Sequence, residues 1–377
     1  MKSKLCQKLD IQFPLVAFSH CRDVVVEVSK AGGFGVLGAA GFSPEQLEIE
    51  LSWIDQNIGG ASYGVDLIVP NTMANQDESK TAPELQAMVP HAHRVFVEET
   101  LAKFGIDPSN LFSSSSVGNR GFLGEKSSEN MLDIAFSHPI KMIVNALGVP
   151  PLRMLELAKE KNVTCGALVG TTQQALKQAE SGVDIIISSG TEAGGHCGEI
   201  STMVLVPEVV EALKDYDHVS ILAAGGIVTG RQMAAAMAMG ANGVWTGSVW
   251  LTTEEADTAL SIKRKLIATG SNQTVRTRSR TGKFSRQIKS PWTDAWQGDE
   301  SPDPLPMPLQ GLVSGPALNR IDKLAESGHA GAKQLSTYWV GQGVGLMNDP
   351  LSSRAVVQNF MEDFALAYER FQGVMEG

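Results

Sequence analysis

The sequence predicts an α/β protein, a (β/α)8 TIM barrel with a smaller lid or insertion domain. Eight short apolar runs recur along the chain, amphipathic stretches separate them, and most runs are continuously apolar instead of alternating. Strands covered by helices on both faces read this way, as in a parallel sheet. A doubly wound open sheet shares these features. The count of eight, and the lack of GxGxxG after the first run, favour the barrel.

The runs are PLVAF (14–18), GFGVLG (33–38), YGVDLIV (63–69), IKMIVNAL (140–147), TCGALVG (164–170), VDIIISSG (183–190), SILAAGGI (220–227) and GVWTGSVW (243–250). Between them RDVVVEVSKAG, PEQLEIELSWIDQN, PLRMLELAKEKN, TTQQALKQAESG and TGRQMAAAMAMGA place apolar residues at helical spacing. Ser43 before Pro44 and Thr171 or Thr172 before Gln173 supply N-caps, and Gly32, Gly182 and Gly240 supply stops. Residues 1–70 then carry strands one to three, and 139–252 carry strands four to eight. Residues 71–138 read as a helical insertion. Residues 253–349 read as a lid or substrate segment containing SPDPLPMP (301–308), which cannot be regular helix. Both leave the catalytic face and together suit a lid or a small second domain. Residues 350–377 read as a C-terminal helix packed on the barrel.

The 377 residues, 43% hydrophobic and 19% charged, are ordinary for a globular protein of one large or two smaller domains. A net charge of -10 argues against nucleic acid or an anionic membrane as partner. No apolar run reaches about 18 residues, and MKSKLCQKLDIQFPL lacks the apolar core of a signal peptide. Cys6, Cys21, Cys165 and Cys197 show no CxxC spacing and read as free thiols in a reducing cytoplasm. His91 and His93 have no ligand spacing with acids, so no metal is expected.

AAGGI (223–227) and TGS (246–248) end the seventh and eighth runs. Glycine admits a ligand close to the backbone, and the following helix start offers free N–H groups to an anion. The loops after strands seven and eight are the usual phosphate site of such barrels. GTEAGGHCGE (190–199) follows the sixth run. Its Gly194 and Gly195 would let the loop cross close above a planar ligand. His196 suits general acid–base work near neutral pH. Glu192 and Glu199 read more readily as loop-orienting than as catalytic groups. Cys197 is a rival, as a nucleophile, but only His196 stands near in sequence to lower its pKa. His20, just past the first strand, is a further candidate against a capping or surface role. Arg276, Arg278, Arg280, Lys283, Arg286 and Lys289 read as a solvated inter-domain loop or as a grip on a cosubstrate phosphate. Met233, Met237 and Met239 read as helix packing.

GTEAGGHCG resembles the signature of the nitronate monooxygenase (2-nitropropane dioxygenase-like) family, in which GxEAGGHxG follows strand six. FPLVAFSHCRDVVVEVSKAGGFGVLGAAGFSPEQL resembles the family's first βαβ unit, and AAGGI and TGS its phosphate turns. SRTGKFSRQI (279–288) and YWVGQGVG (338–345) resemble its C-terminal segments. The resemblance covers most of the chain and is least clear over 72–138. It implies an FMN-binding barrel with a lid. The implied flavin contacts are Ala17 and Phe18 at the first strand end, Asn71 after the third strand, and Ser189 and Gly194 around the sixth. Gly225, Gly226, Thr246, Gly247 and Ser248 lie at the phosphate end. His196 takes the position of the catalytic histidine. The chain departs from the family pattern at Ser189, where many members have glutamine, at Trp245-Thr246, where glutamine-methionine is usual, and at AFSH instead of APM.

The implied activity oxidises alkyl nitronates with O2 to a carbonyl compound and nitrite, His196 first deprotonating a neutral nitroalkane. An alternative is an NAD(P)H-dependent flavin reductase on the same barrel, acting on an enoyl thioester or a quinone. A second is a non-redox barrel that binds a phosphate ligand. The expected partners are small molecules, with a homodimer left open.

Overall fold

The computed structural model describes residues 1, 3–69, 82–112 and 125–376. The barrel strands are β1 (Leu15–Ser19), β2 (Phe34–Gly38), β3 (Tyr63–Leu67), β4 (Met142–Asn145), β5 (Thr164–Val169) and β6 (Ile185–Ser189), then β8 (Ser220–Ala224) and β9 (Gly243–Thr246). All eight pairings are parallel. β1 pairs with both β2 and β9, Val16 lying opposite Phe34 and Trp245, and this closes the ring. The (β/α)8 barrel expected from the eight runs is therefore the fold. A short strand between them, β7 (Gly195–His196), stands outside the barrel. It joins β10 (Thr274–Thr277) and β11 (Ser285–Ile288) in a separate antiparallel sheet.

The continuous apolarity of the runs has a direct cause. Val16, Phe34, Val36, Met142, Val144, Ile185, Ile187, Leu222 and Trp245 pack together in the lumen. Their neighbours Leu15, Ala17, Ala223 and Val244 pack outward against the helices. Each strand is thus buried on both faces. The eighth run is shorter than its apolarity suggests. Its last three residues belong instead to a 3-10 turn, Ser248–Thr252, in which Trp250 N–H donates to the Gly247 carbonyl.

Ser43 and Thr171 accept from the backbone N–H groups of Gln46 and Gln174, so both expected N-caps form. Helix Glu125–Ser137 sets Met131, Leu132, Ala135 and Phe136 against Leu47, Leu51 and Ile54 of helix Pro44–Asn57. It therefore completes the barrel's outer layer between β3 and β4. Helices His91–Lys103, Pro291–Ala295, Leu309–Glu326 and Ala330–Leu335 share a separate core around Val97, Leu101, Trp292, Trp296, Val313 and Ile321. Stretches inserted after β3 and after β9 thus build one second body. SPDPLPMP stays outside helix, which begins only at Leu309.

Helix Ser353–Glu376 buries Val356, Val357 and Phe360. It lies directly across the start of helix Gly230–Ala238, where Arg231 Nε and backbone N–H bond Asp363 at 2.8 and 2.7 Å. A Cβ at Gly230 would stand 1.9 Å from the Phe360 carbonyl oxygen. Among the described residues no helix is long and apolar enough to cross a membrane.

Because the obstacle at Gly230 is backbone, it cannot rotate aside. Gly230→Ala is expected to destabilise the protein by about 3 kcal/mol. Gly373→Ala, at a position with open space around it, should leave stability unchanged or slightly higher. Urea denaturation of the two variants checks this.

Candidate active site

The C-terminal end of the barrel is framed by three glycine turns. After β8, Gly225 and Gly226 adopt φ of +110° and +71°, a region open to glycine at little cost. A Cβ on Gly225 would meet Thr202 Oγ1 at 2.6 Å, so space as well as φ excludes a side chain. After β9, Gly247 precedes Ser248 at the start of the 3-10 turn. The backbone N–H groups of Gly225, Gly226, Gly247 and Ser248 make no hydrogen bond among the described residues. Unpaired donors gathered at two adjacent strand ends are the inventory an anion such as a phosphate requires.

The third turn is the loop after β6. Glu192 Oε2 accepts from Thr202 at both its backbone N–H (2.9 Å) and its hydroxyl (2.8 Å). Thr202 opens helix Thr202–Ala212, whose N-cap residue Ser201 makes no side-chain cap bond. Glu192 therefore caps that helix from a distance, and it orients the loop as its sequence context suggested. The Arg286 guanidinium grips the loop's other side, Nε donating to the Thr191 carbonyl at 2.8 Å. Val340–Gly343 then covers it. A Cβ on Gly194 would stand 2.7 Å from the Val340 carbonyl carbon, and one on Gly341 2.6 Å from the Glu192 carbonyl oxygen. Gly341 N–H donates to Ser248 Oγ at 2.8 Å, which ties this cover to the β9 turn.

His196 stands at the open end of this frame. Its backbone pairs with Ser285 in the small sheet. Its Nε2 lies 2.8 Å from Thr281 Oγ1, and its ring lies 5.9 Å from that of Trp339. The ring keeps one exposed side, yet dense protein around the rest lowers its pKa below the ordinary histidine value, burial first and the Lys283 charge second. Cys197 shows the opposite balance. Burial raises its thiol pKa and outweighs Arg286 and Arg276, which favour the thiolate. A thiol held protonated is a poor nucleophile, which argues against that rival.

The other expected contacts divide. Phe18 lies half-buried at the lumen's upper end, its ring 5.8 Å from that of Trp245 and inclined to it by 29°. Ser189 ends β6 nearly buried, and Gly194 is exposed. Ala17 faces the helices, so only its backbone borders the mouth. Thr246 is 1% exposed, with its hydroxyl spent on the Val16 carbonyl (2.9 Å) and the Trp250 indole N–H (3.0 Å). It braces the site from behind. Asn71 falls outside the described residues. His20 lies at the rim and donates from Nδ1 to the Gly38 carbonyl at 2.6 Å, which leaves Nε2 as the bare nitrogen when the ring is neutral.

Four residues escaped the sequence reading: Asp66, Thr281, Trp339 and Gly341. Asp66 alternates with the helix-facing Val65 and Leu67 and so points into the lumen. It is 4% exposed, its Oδ1 has no hydrogen-bond partner, and burial lifts its pKa well above the carboxylate range. An aspartate inside the apolar run YGVDLIV was the available signal. The basic run is mostly committed to structure. Arg278 pairs with Asp303, Arg276 with Glu199 and Lys289 with Asp294, while Lys283 makes no ion pair among the described residues. No cluster of metal-ligating side chains occurs among them either.

Two surface hollows, of about 350 and 310 Å³, lie elsewhere, one beside Arg22 and Trp53 and one beside Lys4 and His218. Strand ends, glycine turns and His196 locate the site better than concavity does, because barrel chemistry sits at that face. The free N–H groups, the aromatic pair and the unpartnered Oδ1 of Asp66 together fit an anionic ligand with a planar, hydrogen-bonding ring.

A parallel barrel with glycine turns that leave backbone N–H groups unpaired after its last two strands, and a histidine on the loop after its sixth, has the layout of a ligand-binding barrel enzyme. The nitronate monooxygenase family model matches residues 2–363, and the chain belongs to that family of flavin-dependent oxidoreductases. The Mycobacterium tuberculosis protein named "Putative monooxygenase Rv1533" is 47% identical over 378 residues, covering 100% of both chains. A Staphylococcus aureus (strain N315) protein named "Probable nitronate monooxygenase" is 26% identical over 90% of this chain and 91% of its own. Among solved structures, nitroalkane oxidase from Streptomyces ansochromogenes superposes with a TM-score of 0.78 at 21% identity, covering 97% and 99% of the two chains. FabK from Thermotoga maritima does so with a TM-score of 0.74 at 21% identity, covering 99% of each. These two likenesses concern the fold.

Glu192→Ala removes both the distant helix cap and the loop's anchor. A loss of about 1–2 kcal/mol is expected, with faster proteolytic cleavage within 190–199. Urea denaturation and limited proteolysis check it.

Proposed function

We propose that the protein binds FMN across the barrel mouth and oxidises alkyl nitronates, and the nitroalkanes that give rise to them, to carbonyl compounds and nitrite with O2 as acceptor. The observation that carries this is the set of unpaired N–H groups at Gly225, Gly226, Gly247 and Ser248 beside a loop that presents His196. Those groups would hold the phosphate, with Ser248 adding a hydroxyl. Phe18, Ser189, Gly194 and Asp66 would border the ring. With its carboxyl neutral, Asp66 can donate a hydrogen bond that an ionised carboxylate could not. FMN supplies the electron-accepting chemistry when bound.

The protein's own part is positioning and proton transfer. A preformed nitronate arrives already deprotonated and needs only to be placed. A neutral nitroalkane must first lose a carbon-bound proton. His196 suits that step because its lowered pKa keeps it neutral at pH 7.

His196→Asn should lower kcat/KM for neutral nitroalkanes by roughly 10²–10⁴-fold and leave turnover of preformed nitronates much less affected. Equal losses on both substrates would contradict the base assignment. The acid limb also has a defined direction. His196 takes up its proton only below the ordinary histidine value, so kcat/KM for neutral nitroalkanes should hold as pH falls past about 6.5. Lys283→Met removes a repelling charge and should move that limb upward. A nicotinamide-dependent reductase would instead reveal itself by rapid flavin reduction with NADH or NADPH.

A further inference from the structure

The proton acceptor on His196 depends on which ring nitrogen is bare, and a residue 85 positions away along the chain decides it. Thr281 lies in the turn between β10 and β11, and its Oγ1 is 2.8 Å from His196 Nε2. The same hydroxyl lies 3.4 Å from the Lys283 carbonyl oxygen and 3.4 Å from the Lys283 N–H. A carbonyl can only accept, so the hydroxyl has an outlet for its own hydrogen and remains free to accept from the ring. Nδ1 makes no hydrogen bond among the described residues.

We infer that Thr281 is a positioning residue: it accepts the Nε2–H of His196, fixes that tautomer, and leaves Nδ1 as the nitrogen that takes the substrate proton. This rests on the reading of His196 as base. The arrangement needs the antiparallel pairing of His196 with Ser285 and of Gly195 with Arg286, which holds the loop and the turn at constant distance. Trp339 limits the ring's tilt from the side, and its own indole N–H donates to Ser285 Oγ at 3.3 Å. Once protonated, the imidazolium keeps its bond to Thr281, so no reorientation is required between the two charge states.

Other charged groups surround the ring. Lys283 belongs to the same turn, Arg280 lies over Trp339, and Arg276 and Arg286 flank Cys197. Glu192 and Glu199 lie on the histidine's own loop. None of them offers the short contact to Nε2 that Thr281 does.

Thr281→Val keeps the side-chain shape and removes the hydroxyl; Thr281→Ser restores it. In the full chain labelled with 15N-histidine, with His196→Asn used for assignment, NMR of the neutral wild-type ring should show Nε2–H. The valine variant should show a mixture and the serine variant the wild-type pattern. In parallel, Thr281→Val should lower kcat/KM for neutral nitroalkanes roughly 10-fold or more, with its melting temperature and its turnover of preformed nitronates unchanged. Nδ1–H in the wild type, or a valine variant with unaltered tautomer and pH profile, would overturn the inference. A fixed Nε2–H tautomer together with an unselective His196→Asn variant would keep the positioning role and remove only the base assignment.

Discussion

The close backbone approach between residues 192–194 and 340–343 is the constraint on which the site depends. Gly194 and Gly341 face each other without room for a methyl group, and Gly343 meets the Gly226 carbonyl oxygen in the same way, 2.6 Å from where its Cβ would be. Three loops from one barrel end and the strap Val340–Gly343, whose Val340 packs in the barrel's outer core, are thereby fixed at contact distance. A side chain at any of these positions would push the strap outward. With it would move the Gly341 bond to Ser248 and Trp339 beside His196. The price in chain entropy is substantial, since glycine loses most on ordering. The return is a loop held on both sides by backbone.

Electrostatics follows from the same clamp. The chain carries a net charge of -10, yet Arg276, Arg280, Lys283 and Arg286 all belong to the hairpin that meets the β6 loop. Two carboxylates meet this cationic group, Glu199 paired with Arg276 and Glu192 near Arg286. Most of these side chains also do mechanical duty, Arg286 on Thr191 and Arg280 on the Thr337 carbonyl. Burial then sets proton affinities in opposite directions along one dipeptide. It makes His196 a weaker base that stays neutral, and it makes Cys197 a weaker acid that stays a thiol.

The barrel was legible because two-sided burial leaves a continuous apolar mark, and eight such marks were countable. The glycine turns after β8 and β9 were legible because both their composition and their place after an apolar run carry meaning. What escaped was long-range. Thr281 and Trp339 approach His196 only after about 85 and 143 residues of intervening chain have folded, and no local pattern encodes that meeting. Ala17 and Thr246 show a second blind spot. Both sit at strand ends that border the site, but strand pleating turns their side chains outward, and a parity error of one residue reverses the reading. Asp66 was visible as a charge within an apolar strand. Its meaning came only when the lumen was seen to offer Oδ1 no partner.

The central claim is that the barrel mouth holds a flavin against which a nitronate is oxidised. The visible absorption spectrum of the purified full chain supplied with FMN, recorded without oxygen before and after addition of an alkyl nitronate, tests it most directly. The expected result is protein-bound flavin bands that bleach on addition of the nitronate and return when air is admitted. A protein that takes up no FMN would contradict the claim outright. Bound flavin indifferent to nitronate but bleached by NADH or NADPH would keep the cofactor and overturn the reaction.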